Sequence, residues 1–106
     1  MSDIVIPGSK ALSNVFDLGE NKIVGIIMPS GWTAANLTFQ GAIDADDTYK
    51  NIYDVAGNEL TVIAAASRII VDIPELAACR FLKVRSGTAG TPVGQVASRV
   101  IKLLVK

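Results

Sequence analysis

β-branched residues are the commonest large apolar residues in this sequence, with 11 Val and 12 Ile against 8 Leu. Side chains branched at Cβ are stiff, and they pack better on the pleated surface of a strand than in a helix. Gly, Pro, Asn and Asp interrupt the chain at short intervals, and these residues end strands and form turns. The sequence therefore predicts many short β-strands.

About eight short strands are expected, separated by turn residues at roughly the 8–12-residue spacing of all-β sandwiches and barrels. Two packed antiparallel sheets of four strands are the natural arrangement for this number. We therefore expect an all-β, jelly-roll-like antiparallel β-sandwich. The segments with strand patterns are 3–7, 11–18, 22–28, 36–43, 49–54, 60–63, 68–73, 80–85 and 93–105.

Segment 93–105 fits two kinds of secondary structure. The spacing of Val93, Val96 and Val100 matches one stripe of a helix. The alternation that includes Ile101 and Val105 matches a strand. We interpret the segment as a strand, because the rest of the chain is β and a lone helix would need a sheet face to cover.

Two strand segments predict which side chains are buried. Segment 22–28 is the most apolar run and is expected to be a central strand covered on both faces. In the next strand segment, alternation places Leu37, Phe39 and, after Gly41, Ile43 on one face.

Three connections carry local signals. A positive φ suits Gly57 or Asn58 in the turn after the fifth strand segment. Segment 75–79 is expected to form a single helical turn. Segment 86–92 is rich in Gly and Thr but lacks the Gly-Lys-Ser/Thr ending of a phosphate loop, so we interpret it as a strand connection.

Length and charge limit the organisation and the partners of the chain. One domain is expected, with residues 1–22 as an N-terminal arm or first strands and residues 23–106 as the β-sandwich domain. Ten Lys or Arg balance ten Asp or Glu, which disfavours nucleic acid as a partner. The longest apolar run, 23–29, is far shorter than the roughly 20 residues that cross a bilayer, so no membrane partner is expected. The first residues lack a secretory pattern, so we expect a soluble product made in a reducing cytoplasm.

Residues suited to catalysis are few. Histidine is absent, which removes the usual general base near neutral pH. Asp54, Glu59 and Asp72 are candidates for carboxylate chemistry by residue type alone. Cys79, the single cysteine, is interpreted as a small buried hydrophobe rather than a nucleophile. We therefore expect no enzyme activity and no cofactor.

One acidic cluster resembles a cation site. Asp44, Asp46, Asp47 and Asn51 carry oxygen atoms of the kind that calcium accepts. Position 49 is Tyr, where a calcium loop needs Gly. The favoured interpretation is a solvated hairpin tip, and no metal site is expected.

Trp32 is the single tryptophan and follows a Pro-Ser-Gly turn. Its ring could close the end of the sandwich core, contact a protein partner, or stack on a sugar. The sequence leaves these three interpretations open.

Charge is distributed unevenly along the chain. Residues 1–67 carry three Lys against eight Asp or Glu, a net charge of −5, and residues 68–106 carry seven Lys or Arg against two acidic residues, a net charge of +5. Such asymmetry favours docking to another copy or to an oppositely charged partner. Together with Trp32, the candidate partner contacts are Arg80, Arg85 and Arg99. Pairing of acidic with basic strands inside the fold explains the asymmetry equally well.

Five segments carry a resemblance to a known group of proteins. They are residues 25–40 (GIIMPSGWTAANLTFQ), 51–54 (NIYD), 65–70 (AASRII), 80–88 (RFLKVRSGT) and 91–93 (TPV). Over residues 23–104 the chain resembles small virion proteins of tailed bacteriophages.

The resemblance implies a jelly-roll capsid decoration, or cement, protein. Such a protein is made in the host bacterial cytoplasm, binds the major capsid protein on the outer surface of an assembled head as a homotrimer, and stabilises the shell. We expect contact through one end of the sandwich and the N-terminal arm. The first alternative is a tail or head-fibre module, either a structural part or a carbohydrate-binding jelly roll for host attachment, with Trp32, Tyr49 and Tyr53 around an exposed groove. The second alternative is another small β-sandwich adaptor outside phages.

Overall fold

A computed structural model describes residues 2–44, 48–71 and 79–106. Within these residues the chain forms eight β-strands and no helix. The strands are β1 (Ser2–Ile6), β2 (Phe16–Asp17), β3 (Ile23–Ile27), β4 (Leu37–Ala42), β5 (Lys50–Asn51), β6 (Ile69–Val71), β7 (Phe81–Ser86) and β8 (Arg99–Val105).

The strands form two antiparallel sheets of four. The first sheet has the order β1-β8-β3-β6 and the second has the order β2-β7-β4-β5. In the first sheet β1 pairs with β8 and β3 with β6, and in the second sheet β2 pairs with β7 and β4 with β5. This nested pairing, in two sheets of four, is the topology of a jelly roll. The predicted all-β, jelly-roll-like sandwich is confirmed.

The core lies between the two sheets and follows the period-two alternation of the strands. In β1, Ile4 and Ile6 are buried while Val5 between them is exposed. In β8, Ile101 and Leu103 are fully buried on the same side. The second sheet contributes its own buried side chains to the same cluster, namely Leu37, Phe39, Leu82 and Val84.

Two predictions of burial need correction. Ile43 does not continue the buried face of β4, because the strand ends at Ala42 and the Ile43 side chain is exposed. β3 is an inner strand as predicted, but only its core face is covered, since Val24 is exposed on the other side. A bulge between Ile23 and Gly25 shifts the register there.

Other predicted elements are shorter in the structure or differ from expectation. The strand interpretation of 93–105 is confirmed for β8, which begins at Arg99. Segment 60–63 forms no strand and contributes one isolated bridge between Val62 and Leu37. Gly57 adopts the expected positive φ, at 90°. The predicted helical turn at 75–79 lies outside the described residues except for Cys79, which is not helical.

The N-terminal segment takes part in both sheets. β1 is the edge strand of the first sheet and pairs with β8 from Ser2 to Ile6. β2 is the edge strand of the second sheet and pairs with β7. The described residues of 1–22 therefore supply the first strands of the sandwich.

We expect Gly87→Ala to destabilise the protein more than Gly57→Ala. Both glycines have φ near 90°, which costs an alanine about 1–2 kcal/mol. A Cβ on Gly87 would lie 2.6 Å from the Thr91 carbonyl oxygen and 2.7 Å from the Val93 nitrogen, whereas Gly57 has nothing within 4 Å. We expect Gly87→Ala to lose about 2 kcal/mol more in urea unfolding. Equal losses would contradict the close backbone approach at Gly87.

Candidate interaction surface

Four long connections meet at one end of the sandwich, called here the loop end: residues 7–15, 28–36, 52–68 and 87–98. Backbone hydrogen bonds tie them together. The Ser9 N–H donates to the Gln95 carbonyl at 2.7 Å, and the Ser67 N–H donates to the Pro29 carbonyl at 3.0 Å. The loop end is therefore an ordered surface.

Gln95 organises the loop end through its side chain, which is fully buried. Its amide nitrogen donates to the Ser86 hydroxyl at 2.7 Å and to the Thr33 carbonyl at 3.1 Å. Its amide oxygen accepts from the Thr33 N–H at 2.9 Å and from Arg99 Nε at 3.2 Å. All four hydrogen-bonding positions of the amide are thus used, and three parts of the chain are held by one side chain.

Trp32 and Arg99 both lie at the loop end, and each makes contacts within it. The Trp32 ring is half-buried against the core, and its N–H donates to the Ala35 carbonyl at 3.0 Å. Arg99 is half-buried, and besides Gln95 it contacts the Thr33 hydroxyl at 3.4 Å. These contacts favour the core-closing interpretation of Trp32, and the partner-contact role of both residues stays a prediction.

Arg85 lies on the outward side of β7, yet its side chain is only 8% exposed. Its guanidinium donates to Glu59 Oε2 at 3.1 Å, to Asn51 Oδ1 at 2.6 Å and to the Thr38 hydroxyl at 3.3 Å. The Glu59 carboxylate also accepts from the Ala89 N–H. Arg85 therefore holds the 52–68 connection on the second sheet, and this burial favours a structural role for it.

Of the four candidate partner contacts, Arg80 is the one whose side chain is exposed. Its Nε donates to Asp17 Oδ1 at 3.3 Å, and its guanidinium lies 5.0 Å from the centre of the Phe81 ring. This hydrogen bond, together with one from the Gly19 N–H, lowers the pKa of Asp17 below its usual value of 3.8. Arg80 is thus available to a partner, although a neighbouring carboxylate already screens its charge.

Ion pairs between the two halves of the chain account for part of the uneven charge. Three ion pairs are formed among the described residues: Asp3–Lys102, Asp17–Arg80 and Glu59–Arg85. Each joins an acidic residue of 1–67 to a basic residue of 68–106. The interpretation in which acidic strands pair with basic strands inside the fold is therefore supported by these contacts.

The candidate chemical groups serve structural purposes where they are described. Asp54 caps its own turn by accepting from the Ala56 and Asn58 N–H groups. Glu59 binds Arg85, and Asp72 lies outside the described residues. Cys79 is half-buried, and burial raises the pKa of its thiol. Asp54 and Glu59, the two described carboxylates of the set, are therefore engaged in contacts within the chain.

The proposed cation cluster is only partly described. Asp46 and Asp47 lie outside the described residues, and Asn51 is bound to Arg85. Within the described ranges no group of three metal-ligating side chains is found.

The aromatic residues differ in exposure. Tyr53 is exposed, whereas Trp32 and Tyr49 are half-buried. The Tyr49 hydroxyl is buried and has no hydrogen-bond partner among the described residues, and Lys83 Nζ lies 4.7 Å from the centre of its ring. Of the three residues expected around a sugar-binding groove, one has an exposed ring.

Among the described residues, the outer face of the first sheet carries six apolar side chains that are exposed or half-buried. It is defined by Val5, Ile27, Ile69, Val71, Val100 and Leu104. Val5 lies opposite Val100, and Ile27 lies opposite Ile69 across paired strands. The exposed Asp3–Lys102 ion pair lies on the same face, because Lys102 is opposite both Asp3 and Ile27. Contiguous exposed apolar surface is typical of interaction sites.

Sequence reasoning missed both Gln95 and this outer face. A single glutamine in a polar loop carries no local signal of burial, because its partners come from distant parts of the chain. The outer face did leave a signal, since valine and isoleucine occupy both alternation phases of β3 and β6. In segment 22–28 the same pattern predicts a strand covered on both faces, whereas the Val24 side chain is exposed.

We expect Gln95→Leu to lower the free energy of unfolding by about 3 kcal/mol, because it leaves several buried polar groups without partners. Gln40→Leu is the matched control, since Gln40 is half-buried and its side chain makes one 3.4 Å contact with Asn51. Urea unfolding monitored by Trp32 fluorescence measures both. Similar losses in the two variants would show that the Gln95 network does not stabilise the loop end.

Arg85→Met is expected to cost about 3–5 kcal/mol, because it leaves the Glu59 carboxylate partly buried without its cation. Arg80→Met provides the comparison, since the Arg80–Asp17 pair is exposed on both sides and exposed pairs add little stability. Thermal unfolding followed by circular dichroism should show a large drop in Tm for the first variant and almost none for the second. The reverse order would contradict the structural role of Arg85.

Within the part of the chain that the structure describes, no helix is long and apolar enough to cross a bilayer. Comparison with protein-family models, with curated proteins and with solved structures found no match. Function is therefore argued from the fold, the surface and the resemblance of the sequence segments.

Proposed function

We propose that this protein is a structural component of a tailed-bacteriophage virion: a capsid decoration, or cement, protein. It is made in the host bacterial cytoplasm, binds the major capsid protein on the outer surface of the assembled head, and stabilises the shell. The observation that carries the proposal is the group of exposed and half-buried apolar side chains on the outer face of the first sheet, on a body whose buried polar side chains are largely paired.

The interior supports a rigid adhesive body. Gln95 and Arg85 each connect several segments from buried positions. A surface that is ordered before binding loses little conformational entropy when it docks, so more of its contact energy appears as affinity. Such a protein needs surface and rigidity, and it needs no reactive groups.

The outer face supports docking to a broad apolar or mixed surface. Val5 and Val100 are exposed on adjacent strands, with Asp3 and Lys102 beside them. Apolar area surrounded by a few charges is typical of protein interfaces. We therefore place the contact with the capsid on this face rather than on the loop end, where Trp32 and Arg99 are held by their own loops.

Stabilisation of the head follows from preferential binding. A ligand that binds the assembled lattice better than free subunits shifts the equilibrium towards the lattice. Many identical sites on the shell, together with self-association of the ligand, raise the effective affinity of each weak contact. A small sandwich can therefore act as a cement without a large individual interface.

The test uses capsids of the phage that encodes this chain, assembled without the protein. Purified protein is added, capsids are sedimented, and bound protein is measured together with the temperature at which the shell opens. We expect saturable binding and a higher opening temperature. A wild-type protein that fails to sediment with capsids, or that binds without raising this temperature, contradicts the cement function.

A pair of variants locates the contact. Val100→Asp places a carboxylate on the outer face, and Val96→Asp places the same group at the loop end, where Val96 is 81% exposed. We expect the first to weaken capsid binding about tenfold or more, because a charge is desolvated at the contact, and the second to have little effect. Loss of binding in Val96→Asp alone would place the contact at the loop end instead.

A further inference from the structure

The chain covers most of its exposed sheet edges itself. At β1, Asn14 caps Val5: the Val5 N–H donates to Asn14 Oδ1 at 2.9 Å, and the Asn14 N–H donates to the Val5 carbonyl at 3.2 Å. In the second sheet, β2 and β5 are two residues long. Where β2 does not reach, residues 11–13 form backbone hydrogen bonds with β7. Residues 60–62 form backbone hydrogen bonds with the start of β4 and with Ile52, which follows β5. Among the described residues, both edges of the second sheet are thus shielded, and the β1 edge is shielded at Val5.

The fourth edge is β6, whose outer side has no hydrogen-bond partner among the described residues. β6 consists of Ile69, Ile70 and Val71, with no charge and no proline. Ile69 and Val71 are each 65% exposed, whereas Ile70 packs against the core. An uncharged edge with exposed β-branched side chains is suited to adding another strand.

The strand register shows which backbone groups face outward. The Met28 N–H donates to the Arg68 carbonyl at 2.8 Å, next to the paired residues Ile27 and Ile69. Hydrogen-bonded pairs alternate along an antiparallel ladder, so Ile70 is directed towards β3. The N–H and C=O groups of Ile69 and Val71 therefore point to the open side.

We infer that β6 pairs antiparallel with β6 of a second copy of this chain about a two-fold axis at Ile70. In this register Ile69 of one copy lies opposite Val71 of the other. The two-fold axis generates a second pair, in which Val71 of the first copy lies opposite Ile69 of the second. Each pair exchanges two hydrogen bonds, so all four outward backbone groups of each copy find partners. The two first sheets then form one continuous sheet of eight strands.

A second copy fits this edge because it presents the same two residues at the same spacing. The pairing also brings Ile69 beside Val71 of the second copy, and apolar β-branched cross-strand pairs stabilise a sheet. The two Ile70 side chains meet on the core side, where each is only half-buried in the single chain. Because the interface is short, the dimer is weak and depends on concentration.

This inference is independent of the proposed function. It describes a two-fold contact, whereas the resemblance to phage proteins implies a trimer, and the mass of the associated species distinguishes them. Sedimentation equilibrium of the full chain over a wide range of concentrations measures that mass. We expect a reversible equilibrium between monomer and dimer.

Two double variants test the register. Ile69→Lys with Val71→Lys places like charges opposite each other in both pairs, and we expect the dissociation constant to rise about tenfold or more. Ile69→Glu with Val71→Lys places opposite charges in both pairs, and we expect association to return towards the wild-type value. If instead position 69 lay opposite position 69 and position 71 opposite position 71, the second variant would place Glu against Glu and Lys against Lys, and association would stay weak.

The matched control is Ile63→Lys with Val96→Lys, which removes two exposed apolar side chains of the loop end and adds the same charge. We expect wild-type association. Circular dichroism and thermal unfolding establish that each variant is folded. We expect all of them to fold, because the four substituted side chains, at positions 63, 69, 71 and 96, are exposed. The inference is overturned if the wild type stays monomeric or forms a trimer. It is also overturned if the control variant weakens association as much as the Lys–Lys variant does, or if the opposite-charge variant does not restore association.

Discussion

The structure depends on pairing between the first and second halves of the chain. β1 pairs with β8, β2 with β7, β3 with β6 and β4 with β5. This arrangement places the apolar alternation of both halves on the two inner faces, and it brings acidic residues of the first half beside basic residues of the second. The uneven charge of the sequence thus contributes to contacts within one molecule.

Buried polar side chains make the sandwich rigid where the strands end. Gln95 satisfies both ends of its amide inside the loop end, and Arg85 connects the long 52–68 segment to the second sheet. Such networks stabilise a structure when every member is paired, because a single unpaired buried group is costly. They replace part of the order that helices or disulfides supply in other small domains.

Apolar side chains outside the core are concentrated on the first sheet. Its outer face is open from Val5 to Val71, and its β6 edge has free backbone groups among the described residues. The other sheet is covered by the 52–68 segment and by Arg85. This difference between the two sheets gives the molecule one adhesive side, which suits attachment to a larger particle and to another copy.

Local pattern by itself determined the all-β class, the approximate strand positions, the shared core face of Leu37 and Phe39, the alternation of β8, and the positive φ at Gly57. These properties depend on residues close together in the chain. The tertiary structure decided the strand order, the burial of Arg85 and Gln95, the exposure of Ile43 and the open edge at β6. These depend on partners far apart in sequence, because the period of a strand shows which side chains share a face but not which strand or loop lies against them.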